Sequence, residues 1–484
     1  MKYSKYLSAL TATLLFMSCA QNPVTGKKEL MLMTESQEIA LGNESDPAIV
    51  AQYGLYENQE LQRFIEEKGK QMAAVSHRPN LNYTFRILDS PVVNAFAVPG
   101  GYVYFTRGIM GYFNNEAEFA GVLGHEIGHI TARHSAKQYS KQMVTQILFI
   151  GGLIVSEDFR QFADVAQQGI GLIFLKFSRD NETESDMLGV EYSTKIGYDA
   201  HEMAGFFRTL KKLSGDNPLM PNFLSTHPDP GDRNVKVATL ADQAQAGMDP
   251  ATLKVNRNTY LKRIDGLIFG DDPRQGFTEN DVFYHPALKF RFDIPAKWKL
   301  VNTPAQVQMA PEDGKAMLVL SIASEKTLEE AKRKVIEDNK LTVLESSNTT
   351  INGLPAITIV SEIVPDAVQG QGAQALKLLT YLIRFDNTIY KLHGVSALAD
   401  YNAQYATFQK SMNSFRELTE ASKLNKKPTT IKVVEVSAST TLSKILTQYR
   451  MPANRHQELA VLNGMEPETS VEAGTMIKVF GGDY

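Results

Sequence analysis

The sequence predicts a multidomain chain: a mainly helical N-terminal part with a small edge sheet, then an α+β domain, then a small βααβ unit. Three observations carry this. At 484 residues the chain has room for two to four domains of roughly 100 to 200 residues each. Helical periodicity dominates residues 1–270 and yields, at Gly270-Asp271-Asp272-Pro273, to β-rich runs. A polar stretch from Lys423 to Thr430, carrying Pro428, sets off a last short unit. With 43% hydrophobic and 21% charged residues, a largely disordered or fibrous chain is excluded. Fifty Lys and Arg against 54 Asp and Glu, with no basic run, argue against a nucleic-acid partner.

Taken in order, Lys2 and Lys5 precede the apolar stretch Leu7 to Met17, which reads as a signal peptide over 1–18. Cys19 directly follows the small Ser18, an arrangement that resembles a bacterial lipobox, so Cys19 is the expected lipidation site and 19–33 a lipid-anchored tether. Thr34 with Gln37 has capping-box spacing and opens a helix, and a second helix follows Asn58 with Leu61, Phe64, Ile65 and Met72 on one face. Leu81 to Ile87 reads as a strand, the turn Pro99-Gly100-Gly101 leads into a second β-rich run, Tyr102 to Thr106, and the two runs are expected to pair in a small sheet. Asn115 with Glu118 starts a helix whose apolar positions run past Ala132. Ile147 to Val155 and Ile170 to Leu175 are too short to span a membrane and read as a buried hairpin. Helices follow over Arg179 to Ile196 and Ala200 to Leu213. The expected organisation is one domain over 34–275, an α+β domain over 278–420, a linker over 421–430 and the last unit over 431–480.

The chemistry concentrates in His125-Glu126-Ile127-Gly128-His129. Residues four apart share a helix face, so both imidazoles can point at one ion, while Glu126 lies about 100° around the helix and can reach a water. A catalytic zinc needs a third protein ligand and an open position. His134 falls on the opposite face of a continuous helix and is set aside. A carboxylate from Glu182-Thr183-Glu184-Ser185-Asp186 is the better candidate. Glu182 and Asp186 share a face there, so that Glu182 can bind metal while Asp186 holds a histidine N–H.

These residues resemble the zinc metallopeptidase family of HtpX and the C-a-a-X prenyl endopeptidases, in its soluble periplasmic BepA-like branch. The resemblance covers residues 22–275. It rests on Asn22-Pro23-Val24-Thr25-Gly26, Asn94-Ala95-Phe96 with Pro99-Gly100-Gly101, His125 to His129, Ser178-Arg179-Asp180 with Glu182 and Asp186, and His227-Pro228 with Arg233. It implies a gluzincin-type fold for 34–275 and one zinc per chain held by His125, His129 and Glu182. Glu126 is then the general base, and Asp186 orients a ligand histidine. His227 and Arg233 are expected near the metal in an active role: His227 either fills the open position or stabilises the oxyanion, with Arg233 helping by charge. Residues 278–420 resemble a PsbP-like domain through Phe290, Phe292, Pro295, Trp298 and Ser414-Phe415-Arg416. Residues 431–480 resemble a LysM-like unit through Leu442, Ile445, Leu459, Asn463 and Gly474, which implies peptidoglycan contact, although Ser439-Thr440 replace the usual Gly-Asp.

The expected function is a zinc-dependent metalloendopeptidase cleaving proteins or peptides in the bacterial envelope, in quality control or outer-membrane assembly. It would sit in the periplasm, lipid-anchored to the outer membrane. The alternatives are an envelope assembly factor or chaperone with a latched peptidase, and a cell-wall-binding scaffold. Asn94 to Ala97 and Tyr102 to Phe105 are candidates for an edge strand on which an extended substrate lies.

Overall fold

The computed structural model describes residues 19–149, 177–213, 223, 226–227, 230–363 and 375–482. The signal segment and most of the two apolar runs, 147–155 and 170–175, lie outside the described residues. Among the described residues, no helix is long and apolar enough to cross a membrane.

The chain is multidomain with both helical and sheet content, and divides into two compact units. One is built from residues up to 271 together with 429–482, and the other from 272–428, so the second is an insertion in the sequence of the first. In the first unit, strands Cys19–Gln21 and Lys28–Leu30 make a hairpin. Thr34 and Gln37 form the capping box of helix Glu35–Tyr53. Asn58 caps helix Gln59–Ala74, which buries Leu61, Phe64, Ile65 and Met72 at helical spacing. Strand Tyr102–Thr106 pairs in parallel with Thr84–Leu88 and antiparallel with Ala95–Val98. It is therefore the central strand, with Thr84–Leu88 and Ala95–Val98 at the two edges; of the two segments expected at an edge only Ala95–Val98 lies there, and the reading of Tyr102 to Phe105 as part of an edge strand is corrected. The turn between them needs glycine: Gly100 and Gly101 have φ of +87° and +100°, and a Cβ on Gly101 would meet the Asn82 carbonyl oxygen at 2.4 Å.

Helix Glu116–Thr131, here the motif helix, is buried along its whole length. Its partner is helix Arg179–Lys195, and small residues set the spacing between them. A Cβ on Gly124 would sit 3.0 Å from Gly189 Cα, and one on Gly128 would sit 3.3 Å from Ser185 Cα. The motif helix does not continue past Ala132, contrary to its periodicity. Arg133 takes a left-handed φ of 57° and the chain restarts as helix His134–Phe149.

Residues 430–481 supply two strand pairs, Thr430–Glu435 with Met476–Gly481 and Thr440–Thr441 with Ser470–Val471, and helices Leu442–Gln448 and His456–Leu462. This segment shares one hydrophobic core with the motif helix region; Ile431, Leu459 and Ile477 belong to the same cluster as Phe64, Phe105 and Phe119. Lys478 is fully buried and its Nζ donates to the carbonyls of Gly111 and Phe113 at 2.9 and 3.1 Å. These are carbonyls at the end of helix Arg107–Tyr112 that would otherwise lack a donor.

The 272–428 unit is α+β. Seven antiparallel strands run in the order 342–351, 354–363, 376–385, 388–397, 316–323, 306–310, 299–302. Alternation along strand Leu376–Phe385 sends Leu379, Tyr381 and Ile383 to one face against helix Tyr401–Asn413, and Leu378 and Leu382 to the other against helix Leu328–Asp338.

Candidate metal centre

His125 and His129 project from one face of the motif helix, their Nε2 atoms 3.0 Å apart. The close helix pair brings Glu182 to them from the first turn of helix Arg179–Lys195. Its Oε1 lies 3.4 Å from His129 Nε2 and its Oε2 3.6 Å from His125 Nε2. His227 completes the group: Nδ1 is 3.3 Å from His125 Nε2 and 3.0 Å from Glu182 Oε1. One donor atom from each of the four residues lies within 4.8 Å of the others, and all four are buried. Phe223 stacks on His227 at 4.4 Å and Phe177 on His129 at 4.1 Å, walling the site with apolar rings.

Asp186 Oδ1 sits 3.0 Å from His125 Nδ1, which fixes the proton there and leaves the Nε2 lone pair facing the cluster. Arg233 holds Asp186 in turn, with Nε donating to Oδ2 at 2.9 Å, and its Nη1 lies 3.0 Å from Glu182 Oε2. The guanidinium is thus committed to two carboxylates and is buried over the Phe207 ring.

Glu126 is the one carboxylate at the centre without a hydrogen bond. Both its oxygens are buried with no hydrogen-bond partner among the described residues, and the nearest histidine nitrogen, His227 Nε2, is 3.7 Å away. Burial raises its proton affinity above that of an ordinary carboxyl, against the pull of His227 and His125. Burial works against the charge of Glu182 as well, but there His227 and His129 prevail and its carboxyl is held well below the usual range. Burial drives His129 towards its neutral form. Against burial, Glu182 and Glu126 raise the proton affinity of His227. A neutral His129, an ionised Glu182 and further histidine nitrogens converging on one point form a donor set that suits a divalent transition metal. The residues present fit such an ion, and the unpartnered Glu126 fits a polar reactant beside it.

All the sequence-selected residues of the centre come together here: His125, Glu126, His129, Glu182, Asp186, His227 and Arg233. Cys19 belongs to the N-terminal hairpin. Sequence reasoning passed over His134. Its Nδ1 lies 3.0 Å from His129 Nδ1, because the turn at Arg133 swings it back towards the site instead of leaving it on the far face of a longer helix.

The fold and site together describe a candidate metal centre: a His-Glu-x-x-His helix and an acidic helix converging on one buried position. Residues 58–241 match the family described as Peptidase family M48. Among curated proteins, the chain is 32% identical over 214 residues to the mitochondrial metalloendopeptidase OMA1 of Arabidopsis thaliana, covering 44% of this chain and 42% of that protein. It is 28% identical over 233 residues to the beta-barrel assembly-enhancing protease of Yersinia pestis, covering 46% and 47%. Each match thus spans less than half the relative's length. Among solved structures, cyanobacterial PsbP from Synechocystis aligns with 28% of this chain and 91% of its own at 14% identity, with a TM-score of 0.24.

Proposed function

We propose that this protein is a zinc-dependent endopeptidase of the gluzincin type, acting on proteins in the bacterial envelope. The observation that carries the reading is the buried, unpartnered Glu126 beside four converging metal donors. His125, His129 and Glu182 would hold the ion. When bound, zinc supplies Lewis acidity for a scissile carbonyl and acidifies water. Glu126 takes the proton of the attacking water and delivers it to the leaving amine, a role its raised proton affinity suits. Asp186 and Arg233 orient His125 and Glu182, so Arg233 is a positioning residue here and not an oxyanion partner. The second edge of strand Ala95–Val98 has no strand partner among the described residues, and an extended peptide can add there through its backbone. Stripping metal with a chelator should abolish casein cleavage, and added zinc should restore it. Cleavage by the zinc-free protein at the untreated rate would sink the proposal.

His227 has its Nδ1 among the donors, which supports the latch: it fills the position a water must take, and turnover requires it to leave. The same contact favours the second reading, an assembly factor whose peptidase is usually closed. His227→Ala should raise turnover of a reporter peptide roughly tenfold at unchanged zinc content, a difference of about 1.4 kcal/mol. A fall in turnover would point to oxyanion stabilisation instead, and unchanged kinetics would leave His227 a packing residue.

The signal-like segment and the beta-barrel assembly-enhancing relatives support a place in the periplasm with Cys19 lipidated. Cys19→Ala should then fractionate as soluble, since acyl chains supply the membrane affinity. An unmodified mature N-terminus in the wild-type mass spectrum would exclude the anchor. The seven-stranded sheet of 272–428 supports the PsbP-like reading, and the βααβ order of 430–481 the LysM-like one, with peptidoglycan as its proposed contact.

A further inference from the structure

The two motif histidines are supported in different ways. His125 reaches a carboxylate directly, at Asp186. Through its Nδ1, His129 reaches one only by way of a second ring. Its Nδ1 faces His134 Nδ1 at 3.0 Å, and His134 Nε2 lies 3.0 Å from Glu184 Oε2. His134 is fully buried, and Ser185 Oγ lies 3.3 Å from the same Nδ1.

The direction of these bonds follows from what each group can do. An ionised carboxylate only accepts, so His134 carries its hydrogen on Nε2 and donates it to Glu184. The neutral ring then presents a lone pair at Nδ1. His129 fills it by donating its own Nδ1 hydrogen, which leaves the Nε2 lone pair aimed at the cluster. One carboxylate thereby sets the tautomers of two rings in series. Glu184 is itself placed by Lys137, whose Nζ lies 3.9 Å away and also contacts Glu29 of the N-terminal hairpin at 2.7 Å. Asn22, the first residue of the Asn-Pro-Val-Thr-Gly segment, donates to that Glu29 at 3.3 Å.

The geometry points to His134 and Glu184 as positioning residues that orient His129 for metal binding through a Glu184–His134–His129 relay. The proposal rests on the metal-centre reading above. Zinc affinity, measured by competition with a chromophoric chelator on the full chain, tests it without reference to catalysis. His134→Ala and Glu184→Ala should each weaken affinity roughly 10- to 100-fold, as loss of an orienting partner does. Glu184→Gln keeps an acceptor oxygen for His134 Nε2–H and should stay within about threefold of wild type. Because Glu184 is partly exposed, its two variants decide the matter even if His134→Ala fails to fold. Wild-type affinity in Glu184→Ala, or an equal loss in Glu184→Gln and Glu184→Ala, would overturn the relay while leaving the metal centre standing. A wild-type chain that takes up no zinc would remove the centre and the relay together.

Discussion

Glu126→Gln is expected to keep zinc at full occupancy and to lose proteolysis by roughly 10²- to 10⁴-fold, the usual worth of a positioned general base. Glutamine has the same length and nearly the same volume, and the carboxylate it replaces makes no hydrogen bond that would be broken. The histidines and Glu182 are thus left where they are. Only the capacity to take a proton is removed. Zinc content by atomic emission and turnover of a reporter peptide should be read on the same preparation. Wild-type turnover at equal zinc would require a different base, and a matching loss of zinc would mean that Glu126 holds the site together.

Glu182→Ala should lose both metal and activity, with a drop in affinity larger than the roughly 10- to 100-fold expected for residues behind the ligands. Glu182 has a second task, since its oxygens also face Arg233 Nη1 and His227 Nδ1 at 3.0 Å each. Removing it leaves a buried guanidinium short of one counter-charge, which costs stability as well as metal. The variant should therefore melt lower than wild type even when both are stripped of zinc. A folded Glu182→Ala chain carrying one zinc would send the search to another ligand.

Local rules made much of this arrangement readable in advance. The four-residue spacing of His125 and His129, the caps at Thr34, Asn58 and Asn115, and the glycine turn at Gly100-Gly101 are each decided within a few residues, so the sequence displays them. Glu182 and Asp186 are different. Spacing made them candidates on one face of an acidic helix, and the family resemblance added weight to Glu182 as the ligand. Their approach to the motif helix depends on Gly124, Gly128 and Gly189, whose smallness matters only once the two helices are side by side. His134 was hidden by a left-handed turn at an arginine, where neither glycine nor proline marks the break. Arg133 is held in that turn by Glu38 and by the Met33 carbonyl, about 100 residues earlier in the chain, a signal no local window contains. Lys478 escaped for the same reason. A lysine on a terminal strand reads as exposed until the carbonyls it serves, more than 360 residues away, are beside it.

That last contact carries a consequence for timing. A ribosome adding about 5 to 20 residues each second makes Gly111 roughly 20 to 70 s before Lys478. Before Lys478 is made, the 272–428 insertion is complete and holds all the strands of its own two sheets. The first unit lacks part of its core until then. Its carbonyls at 111 and 113 wait for a donor, and the apolar surface that Ile431 and Ile477 will cover stays wet. Closing so large a loop is slow and comes last. The nascent chain therefore carries an unsealed core in this unit until Lys478 arrives.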